Sequence, residues 1–214
     1  MNKGQYSSRD RLIIFGRYPV PGRTKTRLIP ALGPEGAADL QRRLTENILE
    51  TVRRFARPGE IGVEICFEGD SKKKMRQWLG SGEILSRQVS GNLGERMQAA
   101  FLYAFQRGAD RVVLVGTDIP MIRTDHLEQA FDALAENDLV IGPSTDGGYW
   151  LIGLNHSVDL FEGIKWSTDA VFGQTLALAK EHGLRVKTLE PLKDIDTAED
   201  LKQMLPGWKE IKNV

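Results

Sequence analysis

The chain has 214 residues, 41% hydrophobic and 27% charged, with 29 basic and 29 acidic side chains. This composition suits one globular domain, 1–214, whose core needs no disulfide staples, and it excludes a disordered chain. A formal net charge of zero argues against a protein that coats nucleic acid or an anionic membrane.

The opening MNKGQYSSRD is polar and lacks an apolar signal core, so residues 1–10 read as a flexible segment. No apolar run is long enough to cross a bilayer. A soluble, cytoplasmic protein without nucleic-acid or membrane partners is expected.

Arg11 to Phe15 (RLIIF) reads as a buried strand. Gly36 to Phe55 reads as a helix, because Ala37, Leu40, Leu44, Ile48 and Val52 fall near helical spacing. Val63 to Phe67 is a second strand. Its Cys66 is the one cysteine of the chain and is expected to be a buried, inert thiol. Ser71 caps a helix reaching about Leu79, and Ile84 to Val89 is a weaker strand. Gly94 to Phe105 is helical. Arg111 to Val115 (RVVLV) is the clearest strand, continuous and β-branched, as expected of a strand covered on both faces.

His126 to Leu134 reads as a helix. Leu139 to Ile141 and Tyr149 to Leu154 read as strands joined by a glycine-rich turn. A helix over Thr168 to His182, a strand over Leu184 to Leu189 and a short helix over Thr197 to Met204 follow. Thr197 and Asp200 are spaced as a capping pair. Alternating strands and helices predict an α/β fold: three layers, α/β/α, around a mostly parallel mixed sheet. Ligands of such sheets bind beyond the carboxyl ends of the strands, so the segments after strands are the functional candidates.

The first such segment is GRYPVPGRTKTRL, Gly16 to Leu28. Five basic and no acidic residues lie between Arg11 and Pro34. Glycines and prolines stiffen the loop, and Gly16, Arg17, Gly22, Arg23, Lys25 and Arg27 are candidates to hold a polyphosphate. A solvated basic loop is the alternative. Neither a dinucleotide fingerprint nor a P-loop is present.

After the strongest strand comes GTDIP, with Asp118 at the strand end. A rigid strand places that carboxylate well for a divalent cation, although it could simply cap the turn. Asp194 and Asp196 precede the cap Thr197, so helix-dipole compensation explains them less well than Glu199 and Asp200. Asp196 is the better second metal ligand. In STDGGYW, Asp146 could meet a metal or an acceptor hydroxyl, or close a plain hairpin. Gly147 and Gly148 allow close backbone approach, with Tyr149 beside them. In GNLGERM, the helix start at Gly94 and Arg96 offers donors to an anion, or is an ordinary cap. Trp166 could flank a pocket. The scattered His126, His156 and His182 are assigned no role.

The ordered set GRYPVPGRTKTRL, LGERM, GTDIP, GPSTDGGYWLIGL, WST and DIDTAEDL, spanning Leu12 to Leu205, resembles the nucleotide-diphospho-sugar transferase superfamily with its GT-A-like fold. More narrowly, it is similar to bacterial glycosyltransferases of the arsenosugar-biosynthesis type. It is also similar to molybdenum-cofactor and phospholactate guanylyltransferases. Two departures are Asn92, where aspartate is expected before LGERM, and Ala198, where proline is frequent. The resemblance implies a transferase with a nucleotide or nucleotide-sugar donor, a small-molecule acceptor and Mg or Mn. It implies Asp118 and Asp196 as the metal pair. Arg23, Lys25 and Arg27 would line the phosphates, with Asp118, Asp146 and Lys25 as the catalytic candidates. Asp146, Gly147, Gly148, Tyr149 and Trp166 would form the acceptor pocket. A homodimer is compatible with this reading. Glycosyl transfer and nucleotidyl transfer with pyrophosphate release both remain open, beside a non-catalytic nucleotide sensor.

Overall fold

The computed structural model describes residues 8–57 and 59–206. Seven strands form one sheet: β1 (Asp10–Arg17), β2 (Ile61–Glu68), β3 (Ile84–Arg87), β4 (Arg111–Gly116), β5 (Leu139–Pro143), β6 (Tyr149–Leu154) and β7 (Val186–Thr188). Their order is β3-β2-β1-β4-β6-β5-β7. All neighbours pair parallel except at β6, which is antiparallel to both β4 and β5. The turn between β5 and β6 is too short to carry a crossover, so β6 must reverse direction beside β5.

The described residues form six α-helices, the first five of them against the sheet: α1 (Ile29–Phe55), α2 (Lys72–Leu79), α3 (Leu93–Gln106), α4 (Thr124–Glu136), α5 (Val171–Glu181) and α6 (Ala198–Met204). Alternation along β1 and β4 sends Leu12, Ile14, Val113 and Val115 to one face, under α1, α2 and α4. Ile13, Val112 and Leu114 go to the other, under α3 and α5. This is the expected three-layer arrangement. A third cluster joins Leu28, Leu40 and Leu44 to Ile195 and Leu201, clamping the last segment to the start of α1.

Several boundaries differ from expectation. Asp10 already belongs to β1 and pairs with Arg111 at 2.6 Å; residues 1–7 of the expected flexible segment lie outside the described residues. α1 begins at Ile29, not Gly36, with a break at Gly33 (φ 73°, ψ 167°) just before Pro34. The expected helix is the portion after that break. α5 starts at Val171 rather than Thr168, because the Thr168 hydroxyl donates to Lys165 O at 2.7 Å and closes a turn first. β3 and β7 are shorter than expected. Ser71 caps α2, and Thr197 with Asp200 forms a reciprocal capping box on α6. Asn92 and Glu95 do the same on α3, so the asparagine keeps a full cap where the related pattern has aspartate. Cys66 is buried, and that burial pushes its thiol up to about 12. Among the described residues no helix is long and apolar enough to cross a membrane.

Candidate active site

A cleft of about 850 Å³ opens beyond the carboxyl ends of β1, β2 and β4. The loop after β1 forms its first wall. Thr24 is buried, and its hydroxyl both accepts from Val20 N at 3.1 Å and donates to Val20 O at 3.2 Å. Leu28 is anchored in the third core cluster. Between these two anchors Lys25 takes a left-handed conformation (φ 48°) and turns inward until its side chain is 5% exposed. Its Nζ donates to Ile195 O at 2.6 Å and lies 3.2 Å from Asp118 Oδ2 and 3.5 Å from Asp196 Oδ1. Arg27 reaches Asp196 Oδ2 at 2.7 Å.

Asp118 is held from behind. Thr117 is buried, and its hydroxyl accepts from Gln41 Nε2 of α1 at 2.9 Å. Asn47 Nδ2 donates to Pro120 O at 3.1 Å, and Ile195 N donates to Asp118 O at 3.1 Å. That last bond stitches the DIDTAEDL segment to the end of β4. Ile195 is buried on one side of this extended stretch, which sends Asp194 and Asp196 to the other side, into the cleft. Burial first, then the neighbouring Asp146 and Asp196 carboxylates, raise the Asp194 carboxyl to about 6, partly opposed by Lys25.

The expected metal pair therefore converges on one cationic point. Among the described residues, no three His, Cys, Asp or Glu side chains are arranged as a ready-made metal cage. Two carboxylates left half-exposed (47% for Asp118 and 36% for Asp196) suit an ion such as Mg, which keeps waters and shares its shell with substrate phosphates. The cleft's charge points the same way. Arg17, Lys25, Arg27 and Arg96 face Glu68, Asp118, Asp146, Asp169, Asp194 and Asp196. An anion entering this cleft meets six carboxylates and four cations, a net negative lining that a bound cation would offset.

Arg17 and Arg96 line the cleft, but both pair with Glu68 at the end of β2, Arg17 at 2.7 Å. Gln88 ties Arg96 to the end of β1: its Oε1 accepts from Arg96 at 2.9 Å and its Nε2 donates to Gly16 O at 3.0 Å. Gly16 is required for packing, since a Cβ there would meet Thr117 Cγ2 at 2.9 Å. Gly22 and Arg23 sit on an exposed turn and do not line the cleft. Gly94 does not line it either; it makes room for Trp166, whose Cζ2 would lie 2.7 Å from a Cβ.

The opposite wall comes from the β5–β6 turn and the loop before α5. Asp146 Oδ1 accepts from Gly148 N at 3.0 Å and from the Ser144 hydroxyl, so it does close the hairpin while lining the cleft. Gly147 (φ 90°) lies directly against the Asp169 backbone and accepts from Phe172 N at 2.8 Å. This contact fixes Asp169 beside the hairpin tip; Gly147 itself is behind the wall, whereas Gly148 is in it. Tyr149 and Trp166 line the same side with ring centroids 6.5 Å apart, edge to face. Ser167 is also left-handed (φ 64°). Sequence reasoning missed Asp169, Glu68, Gln41 and Gln88 and undervalued Asp194. The two-residue spacing of Asp194 and Asp196 in an extended stretch was the available signal.

His126 has a structural place. Its ring accepts from Arg123 N at 3.2 Å and meets Glu190 Oε1 at 2.6 Å, tilted against Trp150 at 5.4 Å beneath the cleft floor.

A parallel-biased α/β sheet with a strand-end carboxylate, a late carboxylate and a basic first loop defines a nucleotide-diphospho-sugar transferase type of fold. The structure of a protein from Desulfovibrio desulfuricans G20, assigned provisionally as a nucleotide-diphospho-sugar transferase, superposes with a TM-score of 0.87 at 36% identity, covering 93% of this chain and 87% of that one. Residues 51–168 match the model of DUF2064, described as an uncharacterized protein conserved in bacteria, and the chain belongs to this family. It is also similar to 2-phospho-L-lactate guanylyltransferases from Methanobrevibacter smithii and Methanocaldococcus jannaschii. The first is 26% identical over 137 residues, 63% of this chain and 58% of that protein. The second is 35% identical over 109 residues, 49% of this chain and 47% of that protein. The chain thus spans about half the length of these curated relatives.

Proposed function

We propose that this protein is a metal-dependent transferase that takes its group from a nucleotide donor, and that the transfer is glycosyl transfer to a hydroxyl of a small acceptor. The carrying observation is the shared approach of Asp118 and Asp196 to one ammonium, at 3.2 and 3.5 Å, in a cleft with more acid than base. Asp118 and Asp196 would hold a divalent cation there, and it would supply neutralisation of the departing diphosphate. Lys25 and Arg27 complement it from the first loop, held in place before the donor arrives. The rigid end of β4 keeps Asp118 in register with them. Asp146 is the carboxylate on the acceptor side. It would take the proton as the hydroxyl oxygen bonds to the anomeric carbon and the carbon–oxygen bond to the nucleoside diphosphate breaks.

The similarity to guanylyltransferases supports a second reading. In it, the acceptor oxygen attacks the α-phosphorus of a nucleoside triphosphate and pyrophosphate leaves. Thermal shifts with panels of triphosphates and nucleotide sugars, in Mn or Mg against EDTA, separate the readings. Stabilisation by nucleotide sugars with release of nucleoside diphosphate is the expected result. Stabilisation by triphosphates alone, with pyrophosphate release, would replace the first reading by the second. No metal-dependent shift with any nucleotide would overturn both.

A further inference from the structure

The four cations of the cleft all belong to its first wall or to the β2 side: Lys25 and Arg27 engage Asp118 and Asp196, and Arg17 and Arg96 engage Glu68. Opposite them, the hairpin tip and the loop before α5 contribute Asp146 and Asp169, the hydroxyls of Ser144, Ser167 and Thr168, and the rings of Tyr149 and Trp166. No Lys, Arg or His lines this side among the described residues. The arrangement is built in: Gly147 locks the hairpin tip to the Asp169 backbone, and Trp166 seats on Gly94.

Resting on the reading above, we infer that the acceptor is an uncharged polyhydroxy molecule, and that this wall excludes phosphorylated acceptors. The chemistry is direct. Carboxylates and side-chain hydroxyls accept and donate hydrogen bonds to an array of hydroxyls, and aromatic rings cover the C–H faces of a polyol. A phosphate monoester brought to the same wall would carry its negative charge toward Asp146 and Asp169, with no cation on that side to meet it. Like charges across a site reject the wrong partner as effectively as good contacts select the right one.

The test uses the full chain loaded with Mn and the nucleoside diphosphate identified by the thermal-shift panel, so that no turnover occurs. Calorimetric titration then compares glycerol and N-acetylglucosamine with their phosphate monoesters at equal concentrations. The uncharged members should bind roughly tenfold more tightly than the esters, the scale set by one unfavourable charge contact. In Asp169→Lys, the preference should reverse toward the esters, read relative to that variant's own donor-dependent shift. Equal or tighter binding of the esters by the unaltered chain, binding of neither class, or an unchanged preference in Asp169→Lys would overturn the inference. Those outcomes leave the nucleotide-donor reading standing, whereas loss of every donor-dependent shift would take both down.

Discussion

Lys25 and Asp146 each bring charge to the same cleft, yet they are held in opposite ways. Lys25 is buried between two core anchors, Thr24 and Leu28, and reaches its carboxylates from within. Asp146 is an exposed residue at a hairpin tip, fixed by hydrogen bonds to its own turn and by the contact of Gly147 with Asp169. The wall proposed to hold the donor is an extension of the core, whereas the wall proposed to face the acceptor is two surface loops pressed together. Buried, multiply anchored groups tolerate little change, and surface loops tolerate more. The donor side should therefore be the conservative half of the site and the acceptor side the adjustable one.

The largest effect should come from Asp118→Ala. A nucleotide at a hundredfold excess over its dissociation constant stabilises its target by about 2.7 kcal/mol, and this variant should lose that metal-dependent gain entirely. Circular dichroism should show the fold intact. A normal Mn-dependent shift in the variant would break the donor half of the comparison.

Gly147→Ala comes next. Its φ of 90° and its contact with the Asp169 backbone leave no room for a Cβ. Urea denaturation should show a loss of about 1–3 kcal/mol, and acceptor-dependent turnover should fall more than donor binding. A proportional fall in both would mean that the two walls are not separable.

Gln41→Leu removes the donor to the buried Thr117 hydroxyl at 2.9 Å. It should cost about 1–2 kcal/mol in the same measurement and raise the donor dissociation constant several-fold, with acceptor affinity unchanged. A normal donor constant would show that Thr117 does not position Asp118.

The smallest effect concerns Asp200. Burial pushes its carboxyl up, but hydrogen bonds from Lys193 and from the Thr197 side chain and backbone outweigh that and bring it down to about 2, below the ordinary aspartate value of 3.8. Its stabilisation is therefore complete above the unfolded-state value and is lost as pH falls through about 2. Asp200→Asn should cost about 0.5–1 kcal/mol near neutrality, and the gap from the parent should have shrunk to a small fraction by pH 2. A gap that persists there would assign the effect to packing.

The fold was readable because its strands carry unmistakable signals. RVVLV admits no other role in a chain this size, and LIIF repeats the pattern. The break at Gly33 was not readable as a helix junction, since glycine and proline together ordinarily mark a loop. On the donor wall, Asp118, Lys25 and Asp196 could be named because each follows an element boundary. Their meeting could not, because Lys25 and Ile195 lie 170 positions apart in the chain and Arg27 and Asp196 lie 169 apart. Arg23 looked equivalent to Lys25 and Arg27, yet it faces solvent; only the buried Thr24 and Leu28 decide which loop cations turn inward. Glu68 was invisible for the same reason. A lone acid at a strand end shows no sign of the two arginines it will hold.

Lys25 and Ser167 share a property that reaches beyond the chemistry. Among the described residues they are the non-glycine positions with positive φ, and they lie on opposite walls of the cleft. Each spends about 1 kcal/mol on a backbone shape that glycine would adopt freely. At Ser167 selection for stability alone would favour glycine, whereas at Lys25 the contacts to Asp118, Asp196 and Ile195 outweigh the backbone cost. A gene duplicate released from turnover should therefore drift first at codon 167, toward glycine or asparagine, and its product should grow more heat-resistant as it falls silent. Family members that keep serine at position 167 are the ones to search for activity.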